Sequence, residues 1–468
     1  MRLQVNILFA NACSLYLKQS KRPWFSHKKF VCNQSRKPRV AIVGTGPAGI
    51  YCGKTLIHLF RHRIEIDFYE KCLTPYGLLR FGIAPDHREL RAAAREFDTL
   101  LYSRQNHVRF FNGVNVVDCP PFQASMCHVP IDSSNQDGFS SIALKTLRCT
   151  YDSVVLATGT EEVRRLNIPY RYLNGIISGD HFMKWCNGFA SNEKSDKQFN
   201  LYKFPSKPKS HDVWTVQRFI QQTTFLHGAV QRMNPNTPKN PHILIIGLGN
   251  VALDVARLLL KREPLPLLPP HISALLPELH AKRITIMGRK NLLLNRFSPT
   301  QLREILSLPY VNISRNELLE CVTPKSRSER KTYQLLKSIP FRDHVLDKMG
   351  EPSLNFLGEC EPVKYGYSNA NPSWVSHLCY KHKTSMASLP ADIVVECLGY
   401  ASNAKFPDSL HVYETFSFSS NKASKAVCPV FRTGWCKTGS TGALPDTITD
   451  AVCTAHHVQM CLKKVFCV

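Results

Sequence analysis

Spanning a bilayer takes about 20 consecutive apolar residues. No run of that kind occurs in these 468 residues, so no transmembrane helix is expected. The chain holds 17 cysteines, yet no C-x-x-C pair. That argues against a zinc ribbon and against a thioredoxin-type redox pair. Scattered thiols in odd number point instead to buried, reduced cysteines. Acids are scarce: 35 Asp and Glu face 60 Lys and Arg, a formal charge of +25. A field of that sign favours acidic partners, nucleic acid or anionic membrane. The basic residues are dispersed and not interleaved with aromatics, so we expect no nucleic-acid partner. No repeat of solenoid period is present.

The scarcity of acids is absolute at the start. Residues 1–37 contain eight Lys and Arg and no acid, and the first acid is Glu65. Basic, acid-free, Ser-containing leaders are the composition of a mitochondrial transit peptide. The rival reading is a secretory signal with "LQVNILFANACSLYL" as its apolar core, a core interrupted by Gln4, Asn6 and Asn11. Without the leader the remainder would still carry +17.

Beyond the leader, strands alternate with helical patterns, which predicts an α/β fold. Three segments read as insertions: the polar stretch 191–241, the excursion 263–277 with five prolines, and the basic stretch 322–353, taken as a surface hairpin or loop.

Two strand–glycine-turn–helix units stand out. In the first, Val40–Val43 form a continuous apolar strand, followed by Gly44-Thr-Gly46-Pro-Ala48-Gly49 and a helical stripe at Ala48, Cys52, Leu56 and Leu59. Gly44 would make the tight turn, Gly46 would admit a pyrophosphate, and Gly49 would let helix and strand pack closely. The phosphate charge would meet free N–H groups at the helix start. The next strand, "IEIDFYEK", ends in Glu70, an acceptor for a ribose hydroxyl.

The second unit is "HILIIGLGNVALDVARLLL", with Gly247-Leu248-Gly249-Asn250-Val251-Ala252 at the turn. Its following strand, "RITIMGRK", ends in Gly288, Arg289 and Lys290 in place of an acid. An acid would repel a 2′-phosphate, whereas Arg can grip it bidentately and Lys adds a point charge. One site thus suits a bare ribose and the other a phosphorylated one, which reads as FAD plus NADPH. Such a chain would be two Rossmann-like dinucleotide-binding domains in a glutathione-reductase-like flavoprotein. We place the FAD domain at 38–165 plus 395–468 and the NADP domain at 166–394.

Further motifs carry a resemblance. "TYDSVVLATG" (150–159) looks like a second FAD-domain motif of the two-dinucleotide flavoproteins. "FYEKCLTPYGLLRFGIAPDH" (68–87), "GLGNVALDVARLLL", "GRK…TQLREILSLP" and "GWCKTGSTGALPDTITDA" (434–451) closely resemble the mitochondrial NADPH:adrenodoxin (ferredoxin) oxidoreductase family. The resemblance covers about 38–190, 240–310 and 390–465. It implies bound FAD, NADPH as donor and a small acidic [2Fe–2S] ferredoxin as acceptor, supplying cytochrome P450 or iron–sulfur assembly. Carried over by position, Ala48, Glu70, Leu78 and Val116 would contact FAD, and Trp435 would lie against the flavin. Gly442, Ala443 and Leu444 would present backbone groups to it. Leu248, Gly249, Asn250, Val251, Arg289, Lys290 and Gln301 would hold NADPH, with Gly442 touching the nicotinamide side. His87, in "APDH", is a candidate proton relay with a structural role as its rival.

The chain also departs from that family. Lys290 stands where a second arginine is usual, Gln301 replaces a glutamate, and Lys437-Thr438-Gly439-Ser440-Thr441-Gly442 has lost one cation. We expect a monomer in the mitochondrial matrix, with peripheral contact with the inner membrane. The alternatives are a non-catalytic NADPH- or FAD-binding regulator and a module like the small subunit of glutamate synthase. The latter would need an N-terminal cysteine array, and residues 1–37 hold only Cys13 and Cys32.

Overall fold

A strand with no polar side must be covered on both faces, and two such strands organise the chain. Val40–Val43 and His242–Ile246 are buried throughout in the computed structural model. The structure describes residues 36–72, 74–87, 97–98, 100–101, 107–118, 140–160, 162–187, 242–261, 283–292, 297–308, 312–314, 323–338, 352–401 and 428–466. The leader's first 35 residues and the expected insertions at 191–241 and 263–277 lie outside them.

The first strand, Arg39–Val43, is central in a five-stranded sheet. Across that sheet the order is Val430–Arg432, Ser153–Leu156, Arg39–Val43, Glu65–Glu70 and Val108–Asn112. Every pairing is parallel, with Val43 opposite both Tyr69 and Leu156. The helix Pro47–Leu59 covers one face together with the C-terminal helix Leu444–Phe466. Along one side of that last helix Ile448, Ala451, Val452, Ala455 and Leu462 are buried, and Cys461 is partly buried against the same core.

The second sheet is six-stranded and also wholly parallel, in the order Asn312–Ser314, Ser353–Leu357, Arg283–Met287, His242–Ile246, Ile393–Glu396, Ile176–Ser178. An antiparallel meander, Cys360–Ser368, Asn371–His382 and Ser385–Pro390, packs beside it. The α/β expectation of two parallel-sheet units is met.

Two boundaries differ from expectation. Arg36 and Lys37, placed in the leader, sit on the first unit: Arg36 pairs with Asp152 at 2.6 Å and its guanidinium lies over the Phe466 ring, while Lys37 Nζ is 2.5 Å from His107. The expected break at 394/395 falls inside Ile393–Glu396, whose residues all pair with the second sheet. The crossings between sheets run antiparallel beyond it: Arg164 donates its N–H to Gly399 and Ala401 to Glu162, with Val163 bridged to Tyr400. Glu396 is buried at the foot of this ribbon, accepting from the Tyr365 hydroxyl (2.7 Å) and pairing with Arg165 (3.2 Å).

Residues 323–338, the described first half of the basic stretch expected as a surface hairpin or loop, are neither. They form a helix, Arg327–Lys337, opened by a capping box between Ser326 and Glu329. Thr332 and Leu336 are buried, with Leu336 in the core of the second unit. Its basic composition belongs to the solvated face and hides the apolar one.

Candidate functional site

At Gly44 the backbone turns through φ 101°, and a Cβ there would lie 2.4 Å from the Ala157 carbonyl oxygen. A Cβ on Gly49 would meet the Gly44 carbonyl oxygen at 2.1 Å. These two glycines are demanded by the protein's own backbone. Gly46 is different. No atom of the described residues lies within 4 Å of where its Cβ would stand. That opening sits at the start of Pro47–Leu59, a helix with proline in its first turn and no side-chain cap. A helix start of this kind leaves its first N–H groups and its dipole available to an external anion.

Glu70 is buried at the end of its strand. Its Oε2 accepts from the Thr45 N–H (2.9 Å) and hydroxyl (2.6 Å), and its Oε1 from the Cys72 N–H (3.0 Å). So this acid braces the glycine loop, and offers a ribose only its remaining lone pairs. Leu78 opens the short helix Leu78–Phe81 beside the cradle, where Gly77 faces the Gly46 Cα. Val116 is buried in the cluster that holds Val43 and Tyr69, so its side chain packs.

From the far end of the chain, Gly434 (φ 63°) seats itself on Ala48, where a Cβ would approach the alanine methyl to 2.5 Å. This brings Trp435 to the first cradle. Among the described residues Trp435 Nε1 is buried without a hydrogen-bond partner, and its ring lies 5.7 Å from that of Tyr400. Sequence reasoning missed the residue that holds this loop. Asp450, on the C-terminal helix, accepts from the Gly434 N–H (2.7 Å) and the Thr433 hydroxyl (3.1 Å) and pairs with Lys437 (2.9 Å). Gly442 (φ 80°) and Ala443 are exposed at the start of that helix. One expectation changes: Ala443 gives its N–H to Asp446 Oδ2 (2.7 Å) and does not hold it free for a ligand. Leu444 begins the helix itself.

The second cradle repeats the first. Gly247 turns at φ 133° against the Cys397 carbonyl, 2.2 Å from a built Cβ, while Gly249 faces open space. Asn250 Oδ1 accepts from the Ser298 N–H (2.7 Å), drawing in the start of the helix Pro299–Leu306. Ser298 caps that helix by accepting from the Gln301 N–H (3.2 Å), and Gln301 Oε1 is buried without a partner among the described residues. Val251 is half-buried beside Gly179. Gly288 proves to be glycine for a reason the sequence did not offer. Leu248 lies over it, 2.4 Å from where a Cβ would stand. Arg289 and Lys290 are exposed at the strand end, and neither is held by an ion pair among the described residues.

His87 lies elsewhere, in a joint between the two units. Its Nε2 is 3.1 Å from Asp254 Oδ1 and 3.1 Å from Arg257 Nη2. Arg257 pairs with Asp254 (2.6 Å) and with Asp86, and Lys261 stands 3.6 Å from Asp86. The hydrogen bond to Asp254 raises the His87 pKa, against burial and the Arg257 charge. Asn187 spans the same joint, donating to the Phe81 and Ile83 carbonyls at 3.0 and 2.9 Å. Cys436 packs on the first unit's core, and burial pushes the Cys72 thiol up to about 12.

Two open glycine cradles at helix starts, one per sheet, make a chain of two dinucleotide units. The sequence pattern of the pyridine nucleotide-disulphide oxidoreductases matches residues 38–308. The chain belongs to that family.

Its relatives narrow the kinship. A protein of Schizosaccharomyces pombe named probable NADPH:adrenodoxin oxidoreductase, mitochondrial, is 26% identical over 460 residues, 92% of this chain and 84% of its own length. The human NADPH:adrenodoxin oxidoreductase, mitochondrial, is 25% identical over 480 residues, 94% of this chain and 82% of its own. FprA of Mycobacterium tuberculosis in complex with NADPH shares the fold, with a TM-score of 0.67 at 22% identity over 92% of this chain and 85% of that one. The kinship expected from the motifs is borne out. Among the described residues no group of three His, Cys, Asp or Glu is placed to hold a metal, and no helix is long and apolar enough to cross a membrane.

Proposed function

We propose that this chain passes electrons from NADPH, through FAD, to a small acidic [2Fe–2S] ferredoxin inside the mitochondrion. It is an oxidoreductase of the flavoprotein type, with FAD and NADPH as its cofactors. The observation that carries the reading is the contrast between its two cradles. Both open at a glycine with nothing within 4 Å of its Cβ position. One is bordered by buried Glu70, the other by exposed Arg289 and Lys290.

The residues present fit both groups. At the first cradle, Gly46 admits a pyrophosphate, the helix start at Pro47 meets its charge, and the orphaned Trp435 N–H awaits an acceptor. At the second, Gly249 admits the other pyrophosphate, Gln301 Oε1 awaits a donor, and Arg289 and Lys290 are free to meet a 2′-phosphate. Held there, FAD and NADPH would supply the chemistry of hydride transfer and of one-electron release. The protein's part is positioning. Asp450 holds Gly434 and Trp435 in place, Glu70 braces the loop at Thr45, and the Asp86–Arg257–Asp254–His87 joint sets one unit against the other.

Acceptor and compartment rest on kinship and charge. The relatives are named as mitochondrial adrenodoxin oxidoreductases. The chain's +25 suits an acidic carrier. Supply of cytochrome P450 or iron–sulfur assembly would follow from the ferredoxin's own partners. The test is cytochrome c reduction by the purified protein with NADPH. Addition of a [2Fe–2S] ferredoxin should raise the rate, and the rise should fade with salt. A rate unchanged by ferredoxin would remove it as the acceptor.

A further inference from the structure

The joint at His87 is not the only link between the two units. A second runs through Tyr400, on the antiparallel ribbon where the chain crosses between them. The Tyr400 ring lies 5.7 Å from that of Trp435, at 49° to it. Its carbonyl accepts from the Ser440 hydroxyl (2.8 Å), on the loop that leads to Gly442. Both contacts belong to the first unit. Its hydroxyl points the other way and donates to Asp180 Oδ1 at 2.5 Å. Asp180 stands in the first turn of the helix Gly179–Cys186, which packs in the second unit's core. That carboxylate is buried, and its other oxygen pairs with Lys184 at 2.7 Å. Burial alone would drive Asp180 toward its neutral form, yet Lys184 and the Tyr400 hydroxyl outweigh it and keep the carboxyl below its usual range. Gly179, next door, lies against Cys397 and Val251, beside the Gly247–Gly249 turn.

Resting on the proposed function, we infer that Asp180 is a positioning residue: through the Tyr400 hydroxyl it fixes the ring beside Trp435, and so the alignment of the NADPH cradle with the flavin. Among the described residues, Tyr400 joins the two, with its ring beside the first unit's tryptophan and its hydroxyl on the second unit's helix. A buried ionised acceptor makes that hydroxyl's bond short and directional. Lys184 compensates the charge.

The test uses the full chain with FAD bound and compares Y400F, D180N and the double variant. Y400F removes one oxygen and leaves the ring. Readouts are the flavin's visible circular dichroism, the anaerobic rate of flavin reduction by NADPH, and kcat and KM with ferricyanide. Expected for Y400F is retained FAD, an altered flavin dichroism, a KM for NADPH within about twofold of the parent and a reduction rate lowered about tenfold. D180N should match it, and the double variant should be no slower than either single one, because all three break one link. A Y400F protein with the parent's dichroism and rate overturns the inference. So does loss of FAD in Y400F, which would mark the residue as merely structural, and so does an additive double variant. Should D180N fail to fold, Y400F decides alone. Should the parent's flavin fail to respond to NADPH at all, it is the proposed function that falls.

Discussion

Gly249→Ala separates a glycine kept for a ligand from one kept for the fold. The backbone at Gly249 is extended, with φ −124° and ψ 174°, a conformation any residue adopts. A methyl there would meet no atom of the described residues within 4 Å. The fold should therefore tolerate alanine, and the stiffer unfolded chain should even add about 0.4–1 kcal/mol to stability. The methyl would instead occupy the path by which a phosphate reaches the N–H groups at the start of Asn250–Leu260. Losing one or two charge-assisted bonds there costs about 2–4 kcal/mol, or roughly 30- to 1000-fold in Kd. The assay is NADPH titration of the FAD-loaded variant, beside its thermal unfolding. Unchanged NADPH affinity would refute the cradle, and a clear loss of stability would refute the space around it. Gly49→Ala is the internal control. Its methyl would strike a backbone oxygen at 2.1 Å, so it should destabilise the first unit outright.

Other predictions are independent of this one. Arg289→Ala should weaken NADPH about tenfold and leave NADH nearly untouched, read from the two KM values, because the exposed guanidinium has only a 2′-phosphate to distinguish them. Asp450→Ala strips an acceptor from Gly434, Thr433 and Lys437, and should cost about 2–3 kcal/mol and loosen FAD, measured by urea unfolding and flavin release. Ser326→Ala breaks the capping box of Arg327–Lys337 and should cost about 1 kcal/mol in the same unfolding experiment. The His87 pKa is raised in the fold, so the stability its pairing with Asp254 adds is full below the unfolded value near 6.5 and is lost as pH rises through the folded value. His87→Gln should flatten that part of the profile of Tm against pH.

What the sequence disclosed was local. Each glycine cradle is a run of neighbours: Gly44, Gly46 and Gly49 follow an apolar strand, and the same holds at Gly247 and Gly249. Their order alone announces turn, opening and helix. What stayed hidden depends on pairs far apart in the chain. Asp86 and Arg257, or Tyr400 and Asp180, meet only once two sheets are assembled. Gly288 illustrates the same limit in one residue: it looked like the absence of an acid, and its requirement comes from Leu248 lying over it. The helix at Arg327–Lys337 was hidden by composition, although the Ser326 and Glu329 pair carried its signature.

The most direct measurement is an anaerobic spectral titration of the purified, FAD-containing protein with NADPH and, separately, NADH. NADPH should bleach the flavin's visible absorbance, and NADH should do so only at much higher concentration. A flavin that stays oxidised with NADPH, or one that both coenzymes bleach alike, would contradict the account.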